Sequence, residues 1–128
     1  MIIDDPVTKD ALQARFDAYE TALMENDIAA LDGFFWQDER ALRFGAGESL
    51  FGYQQIAAFR TARAGGSPQR ILRNTQITCF GPDHGVATTE FQREGEARLG
   101  RQTQVWVRLP TLGWHIVSAH VSLVAGTA

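Results

Sequence analysis

The chain has 128 residues, 45% of them hydrophobic and 21% charged, with a formal net charge of −3. That length and balance suit one globular α+β domain spanning 1–128 and exclude a disordered chain. They also argue against the broad basic surface that nucleic acid needs, and no stretch reaches the ~18 apolar residues that cross a bilayer.

The opening segment, Met1 to Pro6, lacks a basic n-region and an apolar h-region, so a bacterial-type cytoplasmic protein is expected. From Lys9 to Glu25, Leu12, Phe16, Tyr19 and Leu23 recur at helical spacing and form one apolar stripe. Thr8 is a plausible N-cap, and Asn26-Asp27 ends this helix and starts a short second one over Ile28 to about Gly33. Ala41 to Phe44 reads as a strand, closed by Gly45-Ala46-Gly47. After Gly52 a third helix sets Ile56 and Phe59 inward, with Arg60 and Arg63 beside them. Ala64 to Pro68 is a breaker.

Beyond Pro68 the pattern changes to long runs rich in Val, Ile, Thr, Phe and Trp: 69–80, 85–93, 100–109 and 113–124. Gly81 to Gly85 and Pro110 to Gly113 are natural hairpin connections. Helices followed by strands with short returns predict a few N-terminal helices packed over a strongly curved antiparallel sheet, with a pocket between them. Cys79 is the only cysteine, which rules out an internal disulfide, and its apolar strand suggests a buried thiol.

The charges are unevenly placed. Eleven of the 15 acidic residues precede position 51, whereas eight of the 12 basic residues follow it, and eleven of those 12 are Arg. The arginine fork suits carboxylates, although arginine-rich coding bias is the simpler reading of the count.

Tyr19 lies on the apolar stripe, which aims its hydroxyl at the sheet, as for a core tyrosine or a pocket group. Arg43 stands between Leu42 and Phe44, and strand alternation puts it on the opposite face from both. In the late strands, Gln102, Gln104, Trp106 and Arg108 share one face. Trp114, Ile116, Ser118, His120 and Ser122 share another, opposite Val117, Ala119 and Val121. Gln104 with Trp106, and His120 with Ser122, are the candidate pocket wall, since amides and hydroxyls read a polar ligand and an aromatic closes its apolar side. Each of these also suits a satisfied core or interface position. His120 is in addition a candidate general base. Arg73 and Glu90 read most simply as a cross-strand ion pair. No His-x-His, His-Glu-x-x-His, Cys-x-x-Cys, P-loop or Gly-x-Ser-x-Gly pattern is present, so neither a metal nor another cofactor is expected.

The order of elements, ending in Gly113-Trp114-His115-Ile116-Val117, resembles the SnoaL-like, nuclear-transport-factor-2-like cone fold. Within it, an ordered series is similar to the AtzH-like group, which includes proteins of oxalurate catabolism. The series comprises Phe16 to Glu20, Asn26-Asp27, Phe34-Phe35-Trp36, Arg43-Phe44-Gly45, Gly47-Glu48, Ala58-Phe59-Arg60, Gly100 to Arg108 and Ala119 to Ser122. The resemblance implies removal of an N-carboxyl group from a carboxylated urea of the 1,3-dicarboxyurea type, leaving allophanate, beside an amidase. It also implies a homodimer paired through the outer face of the sheet, with Tyr19 and Arg43 as pocket residues. On that basis Arg43 would grip a terminal carboxylate and Tyr19 would transfer a proton at the nitrogen of the breaking bond. The rival expectations are a non-catalytic dimer that binds a metabolite or steadies an amidase, and an isomerase or dehydratase, for which Glu90 is the only late-strand carboxylate base.

Overall fold

Asp5 and Pro6 together open the first helix. The computed structural model describes residues 1–125. Helix α1 spans Pro6–Met24, and the Asp5 carboxylate accepts hydrogen bonds from the Thr8 backbone N–H and hydroxyl, each at 3.1 Å. Asp5, rather than Thr8, is therefore the N-cap: Pro6 has no N–H to satisfy and a φ already set for a helix, so the helix starts earlier than its apolar stripe. That stripe buries Leu12, Phe16, Tyr19 and Ala22. Asn26 turns the chain with a φ of 54°, and Asp27 caps α2, Ile28–Phe34, by accepting from the Ala30 N–H at 3.2 Å.

Strand β1, Leu42–Phe44, folds back on β2, Ser49–Phe51, and Gly52 at φ 93° leads into α3, Tyr53–Ala62. β2 has no counterpart among the elements the sequence predicts, since three residues are too few to display a period. The long strands follow as β3, Arg70–Phe80, β4, His84–Arg93, β5, Gly100–Leu109, and β6, Gly113–Leu123. They form one curved six-stranded sheet in the order β2-β1-β6-β5-β4-β3. Neighbouring strands are antiparallel except β1 and β6, which run parallel, so the sheet is mixed.

One irregularity decides which way the last strand faces. Trp106 pairs with Ile116 and Val105 pairs with Ser118, leaving Val117 as an extra residue in β6. A bulge of one residue inverts the alternation beyond it. Trp114 and Ile116 are buried before the bulge, and Ala119 and Val121 after it, which sends His120 and Ser122 to the outer face.

The core lies between the inner face of the sheet and helices α1 and α2. Leu12, Phe16, Leu31, Phe35, Ile56, Trp106 and Ile116 are at most 2% exposed. Each large apolar side chain so buried contributes about 1.5–3 kcal/mol relative to exposure, so this packing rather than helix propensity holds the helices in place. Trp106 and Trp114 both belong to the core. Cys79 is fully buried, and desolvation raises its thiol pKa above the ordinary value. No helix among the described residues is long and apolar enough to cross a membrane.

Candidate active site

Tyr19 projects from α1 between Phe34 and Phe35, with ring centroids 5.6 and 6.4 Å away in edge-to-face contact. Only 4% exposed, it has little rotamer freedom, and it lines a partly enclosed cavity. Arg43 enters the same cavity from β1. Its register partner is Ala119 on the inner face, whereas Phe44 pairs with His120 on the outer one, as alternation requires.

Four more elements add polar and aromatic groups to the lining. α3 and the turn after it supply Phe59, Arg60 and Arg63, β3 and β4 supply Arg70 and Arg93, and β5 supplies Gln102. Five guanidinium groups thus meet at one cavity, and no Asp or Glu among the described residues lines it. Aromatic rings space the cations apart. The Arg43 and Arg63 groups lie 5.5 and 5.9 Å from the Phe59 ring centroid, and those of Arg70 and Arg93 lie 4.5 and 5.2 Å from that of Phe91. Such contacts hold a guanidinium in place without neutralising it.

Three of the five are paired from behind. Arg43 bonds Glu48 at 2.8 Å, Arg60 bonds Asp32 at 3.4 Å, and Arg70 makes a two-pronged pair with Glu20 at 2.7 and 2.9 Å. Arg63 and Arg93 have no carboxylate partner among the described residues, which leaves the cavity wall with two uncompensated positive charges. The pKa values of both fall below the usual arginine value, mainly through burial and then through neighbouring guanidiniums, Arg43 for Arg63 and Arg63 for Arg93. Arginine keeps its proton in proteins, so both groups present a full positive charge to the cavity.

The remaining sequence-derived candidates lie elsewhere. Gln104 and Trp106 do not line the cavity: they are 1% and 0% exposed, and the Trp106 indole N–H donates to the Gln104 carbonyl oxygen at 3.0 Å inside the core. His120 and Ser122 lie on the far side of the sheet because of the Val117 bulge, with the His120 ring edge to face with Phe44 at 5.8 Å. They share an open outer groove with Glu90, Arg101 and Thr103. Arg73 and Glu90 are register partners, yet Glu90 takes its hydrogen bond from Asn74 instead. Glu90, the candidate carboxylate base for an isomerase or dehydratase, lies on the outer face, and no Asp or Glu among the described residues lines the inner cavity. Among the described residues no three or more His, Cys, Asp or Glu side chains are placed to hold a metal ion.

Arg63, Arg70, Arg93 and Gln102 escaped the sequence reading as pocket residues. Arg63 stood beside the inward residues of the third helix and Gln102 on the face of Gln104 and Trp106, whereas Arg70 and Arg93 showed only in the arginine-rich second half of the chain.

Solved structures with this architecture place the chain in a class. A nuclear transport factor 2-like superfamily protein from Salmonella enterica superposes with a TM-score of 0.75 at 23% identity, covering 95% of this chain and 94% of the other. The fold is therefore the nuclear-transport-factor-2-like cone. At higher identity, the chain is similar to a protein of unknown function from the DUF3225 family of Pectobacterium atrosepticum (49% identity, TM-score 0.93, 96% and 95% of the two chains covered). It is also similar to a cystatin-like fold protein from Burkholderia xenovorans (42% identity, TM-score 0.94, 99% of each chain covered). The AtzH-like family model matches residues 1–127, and the chain belongs to the AtzH-like family. No curated protein matches it.

Proposed function

We propose that the chain is a decarboxylating amidohydrolase, or decarboxylase, of bacterial nitrogen catabolism that removes the N-carboxyl group from a small carboxylated urea, as in conversion of 1,3-dicarboxyurea to allophanate. The observation that carries this reading is a cavity lined by five arginines and a phenol with no carboxylate in its wall among the described residues. Such a lining suits a small substrate bearing more than one negative charge, and it leaves a phenol as the group able to move a proton at the substrate.

In this reading Arg43 anchors one terminal carboxylate through its planar fork. The bond between the ureido nitrogen and the other carboxyl carbon breaks, with its electron pair staying on nitrogen. Tyr19 delivers the proton that nitrogen requires, carbon leaves as carbon dioxide, and water reprotonates the phenolate. Hydration of the carbon dioxide balances the sum: dicarboxyurea dianion plus water gives allophanate and bicarbonate. Pairing of two copies through the outer face of the sheet belongs to the same proposal, supported by the exposed Phe44 and Phe51 beside His120.

Release of inorganic carbon from 1,3-dicarboxyurea, oxalurate and related ureido acids, measured against the uncatalysed rate, tests the proposal. Acceleration with the dicarboxylated urea is expected. If no member of the panel is accelerated while the chain co-purifies with an amidase, the non-catalytic alternative, a dimeric ligand-binding or amidase-partner protein, takes its place.

A further inference from the structure

Gln102 is 3% exposed and lines the cavity, and its side-chain nitrogen is buried without a hydrogen-bond partner. Its orientation is fixed by chemistry: the side-chain oxygen accepts from an Arg70 guanidinium nitrogen at 3.1 Å, and arginine has only donors to offer. The nitrogen is therefore a donor held ready for an acceptor. Arg93, on the neighbouring strand β4, has a buried Nε–H in the same condition. Two orphaned buried donors at one cavity are costly, roughly 1–3 kcal/mol each, unless something fills the site. Arg63 faces the same space from the end of α3 without a carboxylate of its own.

We infer that Arg63, Arg93 and Gln102 form a second carboxylate subsite, separate from Arg43, and that the cavity thereby selects small dianions over monoanions. One carboxylate would lie against Arg43, and the other would accept from the Arg93 Nε–H and the Gln102 amide under the charge of Arg63. This deepens the proposed function and rests on it for the identity of the natural ligand. It also gives product release a cause, because losing one carboxylate turns a two-point ligand into a one-point ligand.

The test uses inert probes, so it does not depend on turnover. Glutarate has three atoms between its carboxylates, as 1,3-dicarboxyurea does, and butyrate is the same chain with one carboxylate. Calorimetric titration of the purified chain at fixed ionic strength is expected to show glutarate bound at least about tenfold tighter than butyrate. Arg93→Gln should weaken glutarate about tenfold and leave butyrate within about twofold. Arg63→Gln carries the same expectation should Arg93→Gln fail to fold. Equal affinity of the unaltered chain for the two acids, no binding of glutarate, or an equal loss for both acids in the variants would overturn the inference. Glutarate selectivity without turnover of any ureido acid would uphold the subsite and retire the catalytic reading.

Discussion

The side chains of Tyr19 and Arg43 face one cavity from different elements, the phenol from helix α1 and the guanidinium from strand β1. Tyr19 is braced by Phe34 and Phe35, and Arg43 by Glu48 and the Phe59 ring. Each group is thus set in place before any ligand arrives, which limits the ordering cost of binding.

Arg43→Lys keeps the charge and shortens the reach, but loses the planar fork. In the proposed reaction it should lower kcat/KM for 1,3-dicarboxyurea by roughly 10- to 100-fold, the worth of a charge-assisted hydrogen bond or two. Steady-state kinetics should put most of that loss in KM.

Glu20 and Arg70 form a pair whose Arg70 side chain is only 2% exposed. Glu20→Ala strands a buried guanidinium and should cost about 3–5 kcal/mol in urea denaturation. A Glu20→Leu, Arg70→Met double variant should recover most of that stability, since replacing both partners removes the stranded charge. It should also disturb the cavity, because Gln102 would lose the donor that orients it.

Gly100 lies against the fully buried Phe91 ring, and a Cβ there would come within 2.1 Å of a ring carbon. That ring lies beneath both Arg70 and Arg93. Gly100→Ala should therefore destabilise by about 1–3 kcal/mol through overpacking and also weaken anion binding. Gly47→Ala, whose Cβ would meet nothing within 4 Å, serves as the near-neutral control in thermal melts.

Arg40 holds Asp38 in the turn before β1 through its side chain and backbone N–H, lowering the carboxyl pKa from 3.8 to about 2. A carboxylate with a depressed folded-state pKa adds stability that is fully present above its unfolded value and lost as pH falls through the folded one. Part of the acid sensitivity between about pH 4 and pH 2 should therefore be absent in Asp38→Asn. Denaturant midpoints measured across that range check it.

The sequence patterns located the elements well where a period had room to show. The four long strands begin and end within about two residues of the runs read from composition, and the α1 stripe gave the buried face directly. Short or locally irregular features were hidden. β2 has three residues, and Asp5 precedes the periodic stretch that signals a helix. A single extra residue, Val117, turned His120 and Ser122 away from the face that strict alternation assigned them. Gln104 and Trp106 are buried on the inner face, where the indole N–H bonds the amide oxygen, and they do not line the cavity. The arginine cluster showed in the sequence only as an excess of arginine, because its members come from β1, the end of α3, β3 and β4 and meet only through the fold.

The most direct test compares inorganic-carbon release from 1,3-dicarboxyurea by the unaltered chain and by Tyr19→Phe, with folding checked by circular dichroism. Removing one hydroxyl from a ring held by Phe34 and Phe35 should leave the fold intact while turnover falls by about 10²- to 10⁴-fold, the usual contribution of a positioned proton carrier. Turnover by the phenylalanine variant close to that of the unaltered chain would contradict the assignment of Tyr19 and, with it, the proposed chemistry of the cavity.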